Sequence, residues 1–168
     1  MPHAQKTIIG VMGPGEGASE SDKKTAFALG KLIAQQGWLL LTGGRSCGVM
    51  QAASRGAKSA GGLTIGILPG STRDGMSEAV DIPIVTGMGN ARNAINVLTC
   101  DAIIACGMGA GTASEIALAL KSDKFVLLID EDETAHRFFR NLGDEKLARV
   151  DSPQQAIERI RQEVRGQK

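Results

Sequence analysis

The sequence predicts a doubly wound, parallel α/β sheet of the Rossmann-like kind, and three observations carry that expectation. Short apolar runs alternate with helix-period segments along the chain, the order produced when each strand is followed by a crossover helix. The runs are continuously apolar, as strands are when helices cover both faces of a sheet. Most of them end in a glycine-rich turn, GPGEG, TGGRSCG, GMGNARN or GMGAGT. In such sheets ligands bind beyond the carboxyl ends of the strands, so these turns are expected to converge on one crevice.

Residues 6–12 (KTIIGVM) read as the first strand, closed by the breakers of residues 13–17. Ser21 then precedes a helical pattern through Ala26, Leu29 and Ile33 that stops at Gly37. Residues 38–41 form a second buried strand, and the turn at 42–48 opens a helix carrying Val49, Met50, Ala53 and Ala57. That helix ends at Gly61 and Gly62, and residues 63–68 make a third strand closed by Pro69 and Gly70. Residues 71–81 read as a polar surface loop. In the strand at 82–86, Pro83 marks an edge or a strand start. A turn at 87–90 precedes a helix over 91–98.

Residues 102–106 are the fifth strand. Gly107, Gly109 and Gly111 follow at every second position, and from about Thr112 the pattern is helical through Ala113, Ile116, Ala117 and Leu120. Residues 124–129 are a further strand, 130–133 an acidic loop, 134–141 a short helix and 148–150 a last strand. Ser152 caps a final helix that has Pro153 at its first position and Ala156, Ile157, Ile160 and Val164 on one face.

At 168 residues the chain is read as one domain, residues 1–168, long enough to bury roughly 70% of its unfolded surface. Nineteen basic residues stand against 18 acidic ones, Tyr is absent and Trp38 is the only Trp. A nucleic-acid partner calls for a basic field or an aromatic platform, and this composition offers neither. Cys47, Cys100 and Cys106 lack CxxC spacing, and with His3 and His136 the only histidines no metal-ligand set can be drawn. The expectation is three reduced thiols in a cytoplasmic protein. MPHAQKTIIG has no apolar leader core, and no run approaches the roughly 18 apolar residues of a membrane span.

The stretch from 101 to 121 organises the candidate site. A strand, a glycine turn and a helix start present bare N–H groups and the positive end of a helix dipole. An anion, most naturally a phosphate, suits that position. The candidate binding residues are Gly13, Gly15, Gly43, Gly44, Arg45, Ser46, Gly87, Gly89, Asn90, Arg92, Asn93, Gly107, Met108, Gly109, Ala110, Gly111, Thr112, Ser114 and Glu115. Glu115 cannot attract phosphate; it serves either as a cap partner inside the helix or as a contact for the ligand's uncharged part. Arg92 is a ligand contact or a salt-bridge partner of Glu115, and Arg45 a phosphate ligand or a solvated loop charge. Neither a GxGxxG fingerprint with its acidic partner nor GxxxxGK[ST] is present.

These residues resemble the LOG-like superfamily, formerly described as lysine-decarboxylase-like, whose best-known members are cytokinin riboside monophosphate phosphoribohydrolases. Their signature, Pro-Gly-Gly-x-Gly-Thr-x-x-Glu, is matched at Gly109, Gly111, Thr112 and Glu115, with Gly107 and Met108 replacing its Pro-Gly. A second element, Met-x-x-Arg-Lys, resembles residues 88–93 at a spacing that differs by one, with Arg92 kept and Asn93 in place of lysine. Residues 42–50 and 61–69 resemble the family's glycine loop and following strand.

GVMGPGE near the start and GMGNARN before GMGAGTASE are more similar to molybdenum cofactor carrier proteins of algae and cyanobacteria. That resemblance implies a small phosphorylated ligand, the pterin-based molybdenum cofactor (molybdopterin), bound without turnover. Asn90, Asn93, Ser114 and Glu115 would then bond to the pterin edge. The alternatives are a nucleoside 5′-monophosphate phosphoribohydrolase, with Arg92 and Glu115 catalytic, and a nucleotide-binding module. The resemblance and the apolar breadth of residues 116–120 both imply a homodimer or homotetramer.

Overall fold

The computed structural model describes residues 5–129 and 132–166. Seven strands form one parallel sheet in the order β4-β3-β2-β1-β5-β6-β7. They are β1 Ile8–Met12, β2 Leu39–Thr42, β3 Thr64–Leu68, β4 Ile82–Val85, β5 Ala102–Cys106, β6 Phe125–Ile129 and β7 Leu147–Arg149. The helices are α1 Glu20–Gln35, α2 Gly48–Ser59, α3 Asn93–Thr99, α4 Ala110–Lys121, α5 Glu133–Gly143 and α6 Pro153–Gly166, with 3-10 turns at Gly89–Arg92 and Asp144–Lys146.

The apolar runs become central strands because both of their faces find cover. β3, β5 and β6 are buried at every position. On one face α1, α2 and α6 place Leu29, Ile33, Val49, Ala53, Ile157 and Ile160 over Ile9, Leu40, Ile104 and Leu127. On the other, Val97, Ile116, Ala119 and Phe139 from α3, α4 and α5 cover Met12, Leu41, Ile103 and Val126. This is the doubly wound architecture that the sequence predicts, and Pro83 lies in the edge strand β4 as expected.

The chain order reverses between β1 and β5, which pair from Ile9↔Ala102 to Met12↔Ala105. From these neighbouring strands α1 leaves toward one face and α4 toward the other. Their carboxyl ends therefore splay apart and open a crevice at the switch point.

Several expectations are corrected. The cap of α1 is Ser19 rather than Ser21: its Oγ accepts from Asp22 N at 3.0 Å, and Asp22 Oδ2 accepts from Ser19 N at 2.9 Å. Asp22 at the third helical position completes a reciprocal box that Ser21 cannot make. Helix α4 starts at Ala110 and buries Thr112, Glu115, Ile116 and Ala119. Of the expected stripe, Ile116 is buried and Ala113 and Leu120 pack partly buried against the core, whereas Ala117 is exposed, because the helix turns Thr112 and Glu115 toward the crevice. The loop at 71–81 is not all surface: Ser77, Ala79 and Val80 are buried, and Met76 bridges to Arg45. Of the acidic run, Asp130 and Glu131 lie outside the described residues, whereas Asp132 Oδ1 accepts from the N–H groups of Thr134 and Ala135 and caps α5. Among the described residues no helix is long and apolar enough to cross a membrane.

Candidate functional site

A crevice of about 350 Å³ lies at the switch point, within the range of small-molecule sites. Of the residues expected to bind, it brings together Gly13, Gly15, Gly43, Arg45, Asn90, Arg92, Asn93, Met108, Gly109, Ala110, Gly111, Thr112 and Glu115. Gly44, Ser46, Gly87, Gly89, Gly107 and Ser114 fall outside its lining. Each has a local task instead. Gly44, at φ +73°, packs on Gly66 and Leu68, and Gly107, at φ +74°, lies against the Asp22 carboxylate. Ser46 N donates to Gly75 O, Gly87 N to Gly70 O and Gly89 N to Pro69 O. Ser114 Oγ accepts from Asn93 Nδ2 at 2.8 Å and donates to Gly111 O at 2.7 Å, latching α3 to the first turn of α4.

One wall is the start of α4. Gly109 is the cap residue, with extended backbone and no side-chain cap. The N–H groups of Ala110, Gly111 and Thr112 have no acceptor within the helix. Thr112 is 2% exposed, yet among the described residues its Oγ1 has no hydrogen-bond partner. A buried hydroxyl without a partner is costly unless something else meets it. This turn offers free N–H groups and one additional donor, an arrangement that suits an anion.

The opposite wall is tied together by Arg92. Its Nη1 donates to the carbonyls of Gly43 and Ile67, at the carboxyl ends of β2 and β3. Gly43 leaves room for this, since a Cβ there would stand 3.0 Å from the guanidinium. Burial lowers the Arg92 pKa from its ordinary value, with the charge of Glu115 opposing that shift. Arg92 and Glu115 form no ion pair among the described residues; the guanidinium is turned to backbone oxygen. Arg45 stands at the mouth, 3.7 Å from Glu16 and half exposed, as a loop cation.

Glu115 lies on the floor, 7% exposed. Its Oε1 accepts from Asn96 Nδ2 at 2.7 Å. Burial raises its pKa to about 7, against the opposing effects of Asn96 and Arg92. Asn96 is the functional neighbour that sequence reasoning missed. Its signal was a polar side chain inside a short helix, beside Val97, where asparagine is a poor helix former. Pro14, Gly17 and Met50 also line the crevice, Met50 having read only as a core residue. The free-standing Cys100 thiol is fully buried and its pKa is raised by that burial, as suits a packing residue.

The sequence model of the SLOG cluster 4 family matches residues 6–157. The chain belongs to the SLOG cluster 4 family. Within this LOG-like group, the molybdenum cofactor binding protein of Rippkaea orientalis is 56% identical, with a TM-score of 0.94 over 95% of this chain and 98% of that one. The molybdenum cofactor carrier protein of Chlamydomonas reinhardtii is 50% identical, with a TM-score of 0.90 over 94% and 98% of the two chains. An uncharacterized protein of Archaeoglobus fulgidus is 49% identical over 118 residues, 70% of this chain and 76% of its own length. The resemblance to the LOG-like superfamily, and within it to molybdenum cofactor carrier proteins, is thereby borne out.

Proposed function

We propose that this SLOG cluster 4 protein is a carrier for the molybdenum cofactor, holding the phosphorylated pterin in the switch-point crevice without turning it over. The observation that carries the reading is the α4 turn: uncapped N–H groups beside the unpartnered, buried Thr112 Oγ1, in a chain 50–56% identical to two proteins named for that cargo. The cargo is an anion with a terminal phosphate, and the α4 N-terminus supplies donors and a positive dipole end to it. Asn90 and Glu115 line the same crevice and offer donor and acceptor atoms to a pterin edge. Asn93 is partly committed to Ser114.

Holding suits these side chains better than hydrolysis of an N-glycosidic bond. A hydrolase needs a cation at the leaving base and an ionised carboxylate at the ribosyl centre. Here Arg92 is engaged with two backbone carbonyls, and burial favours the neutral form of Glu115. The test is release of free base from AMP or an N6-substituted analogue. The carrier reading expects none above background; robust release that disappears in Glu115→Gln would install a phosphoribohydrolase in its place.

The carrier is further proposed to be a cytoplasmic homodimer or homotetramer. Ile82 and Ile84 are 44% and 40% exposed on the edge strand. They are in register with Ile65 and Ile67, so the α3 side of the sheet is left uncovered at that edge. Leu63 and Leu98 add further exposed apolar surface, more than isolated surface residues contribute. Light scattering is expected to return a multiple of the 17.5 kDa protomer mass; a monomer at micromolar concentration would contradict the assembly.

A further inference from the structure

Glu115 is a buried acid that cargo holding, as described above, does not require to be ionised. It projects from the second turn of α4 into the same crevice as the anion seat. Only Oε1 has a hydrogen-bond partner among the described residues, the Asn96 amide. The buried atoms near it that lack a partner among the described residues are of both kinds: Asn96 Oδ1 accepts, Thr112 Oγ1 can donate or accept, and Arg92 Nε can donate. An ionised carboxylate can only accept, whereas the acid form brings a donor. Glu115 is thus a buried carboxyl held by one neutral hydrogen bond, with no ion pair and its second oxygen unpartnered among the described residues. An anionic cargo arriving in the crevice adds negative charge, which disfavours a second anion nearby.

Resting on the carrier reading, we propose that Glu115 is a carboxylic acid in the loaded protein, its O–H donating to an acceptor of the cargo's uncharged ring, so that at a pH where the empty site is ionised loading takes up one proton and a rise in pH favours release. The step balances simply: where the empty site is ionised, cargo and a solvent proton enter together, the proton bonds to Glu115 Oε2, and both leave on discharge; where it is already protonated, cargo binds without proton uptake. Among the groups facing Glu115, Arg92 from the 3-10 turn favours the ionised form and Asn96 from α3 does the same through its hydrogen bond. Cys100, at the end of α3, is held as the neutral thiol by burial. From the strands beneath, β1 offers no ionisable side chain, and Cys106 of β5 belongs to the core of the opposite face. Burial outweighs the two opposing contributions and places the titration at about 7, where modest changes in cytoplasmic pH would move it.

The test compares the unmodified protein with Glu115→Gln, which resembles the acid form and cannot titrate. Binding of the molybdenum cofactor is measured from pH 6 to pH 9, with proton uptake from calorimetry in two buffers of different ionisation enthalpy. The cargo's phosphate titrates in both proteins, so the difference between them is the readout. Affinity of the unmodified protein is expected to fall by about tenfold per pH unit above the titration, relative to Glu115→Gln, with proton uptake present in the first and absent in the second. Asn96→Leu removes a bond that favours the ionised form, so it is expected to move the break to higher pH; this keeps the proposal testable if the glutamine variant does not fold. In the unloaded protein, an infrared carbonyl band of a protonated acid should vanish as pH rises and be missing in Glu115→Gln. Tight binding with parallel profiles and equal proton uptake would overturn this inference alone. No cofactor binding at any pH would overturn the carrier reading, and this inference with it.

Discussion

Gly13 and Gly111 line the same crevice and lack a side chain for opposite reasons. A Cβ on Gly13 would stand 2.3 Å from Cys106 O and 2.7 Å from both Val49 methyls. The end of β1, the end of β5 and the start of α2 meet there, and glycine is what lets them close. A Cβ on Gly111 would meet nothing within 4 Å; its bareness leaves open the approach to the α4 N–H groups. The contrast extends to the walls they belong to. On the β1–β3 side, glycine and Arg92 Nη1 hold strand ends together, with Arg92 Nε left as a single unpartnered donor among the described residues. On the α4 side, donors are left over. A ligand seat is recognised by its leftover donors, and glycine content alone does not reveal them.

Valine at each position is expected to split stability from binding most sharply. Gly13→Val should fail to yield a folded protein, because the clash includes backbone and cannot be relieved by a rotamer change. Gly111→Val should fold with stability within about 0.5 kcal/mol of the unmodified protein and lose cofactor binding, as followed by thermal unfolding and equilibrium dialysis. A Gly111→Val protein that still binds would move the seat to another strand end.

Arg92→Met sharpens the account of the tied wall. Removing the guanidinium leaves the Gly43 and Ile67 carbonyls without their donor, a loss of about 3 kcal/mol in urea unfolding. A smaller effect would mean that the guanidinium is not what joins these strand ends.

Glu115 sets the next effect, and its sign follows from proton binding. Its folded-state pKa, about 7, lies above the ordinary 4.5. The native state therefore holds more protons than the unfolded state between those values, and stability falls as pH rises through that window. Glu115→Gln should remove this decline, gaining up to about 3 kcal/mol over the unmodified protein at pH 8 and little at pH 4. Parallel stability profiles from pH 4 to pH 8 would contradict the buried, weakly compensated carboxyl.

A small change in stability is expected for Thr112→Val, which deletes a hydroxyl that has no partner among the described residues. Unfolding free energy should shift by less than about 1 kcal/mol, while cofactor affinity drops by about tenfold. Equal losses in both would mean that Thr112 Oγ1 supports the fold and not the cargo.

The strands were legible because burial on both faces leaves a continuous apolar run: β5 was expected at 102–106 and is found at Ala102–Cys106. The final helix was legible from Ser152, Pro153 and a regular apolar face. The glycine turns were legible as turns, but not as seats or packing points. Whether an N–H is free depends on partners distant in sequence, as when Pro69 O takes Gly89 N or Pro14 O takes Val49 N. The Arg92–Glu115 pairing had the same limit. Opposite charges near one crevice suggested a salt bridge, yet Arg92 is drawn to carbonyls 25 and 49 residues away. Asn96 escaped notice because its role exists only once α3 lies beside α4.

The central claim is that the crevice holds a molybdenum-bearing pterin phosphate intact. Mass spectrometry of small molecules released from the purified protein, after equilibration with cofactor and with AMP together, tests it most directly. The account predicts the pterin phosphate, chemically unchanged and near one per protomer, with AMP left whole in solution. Recovery of a bound nucleotide in its place, or of adenine and ribose 5-phosphate from the AMP, would contradict it.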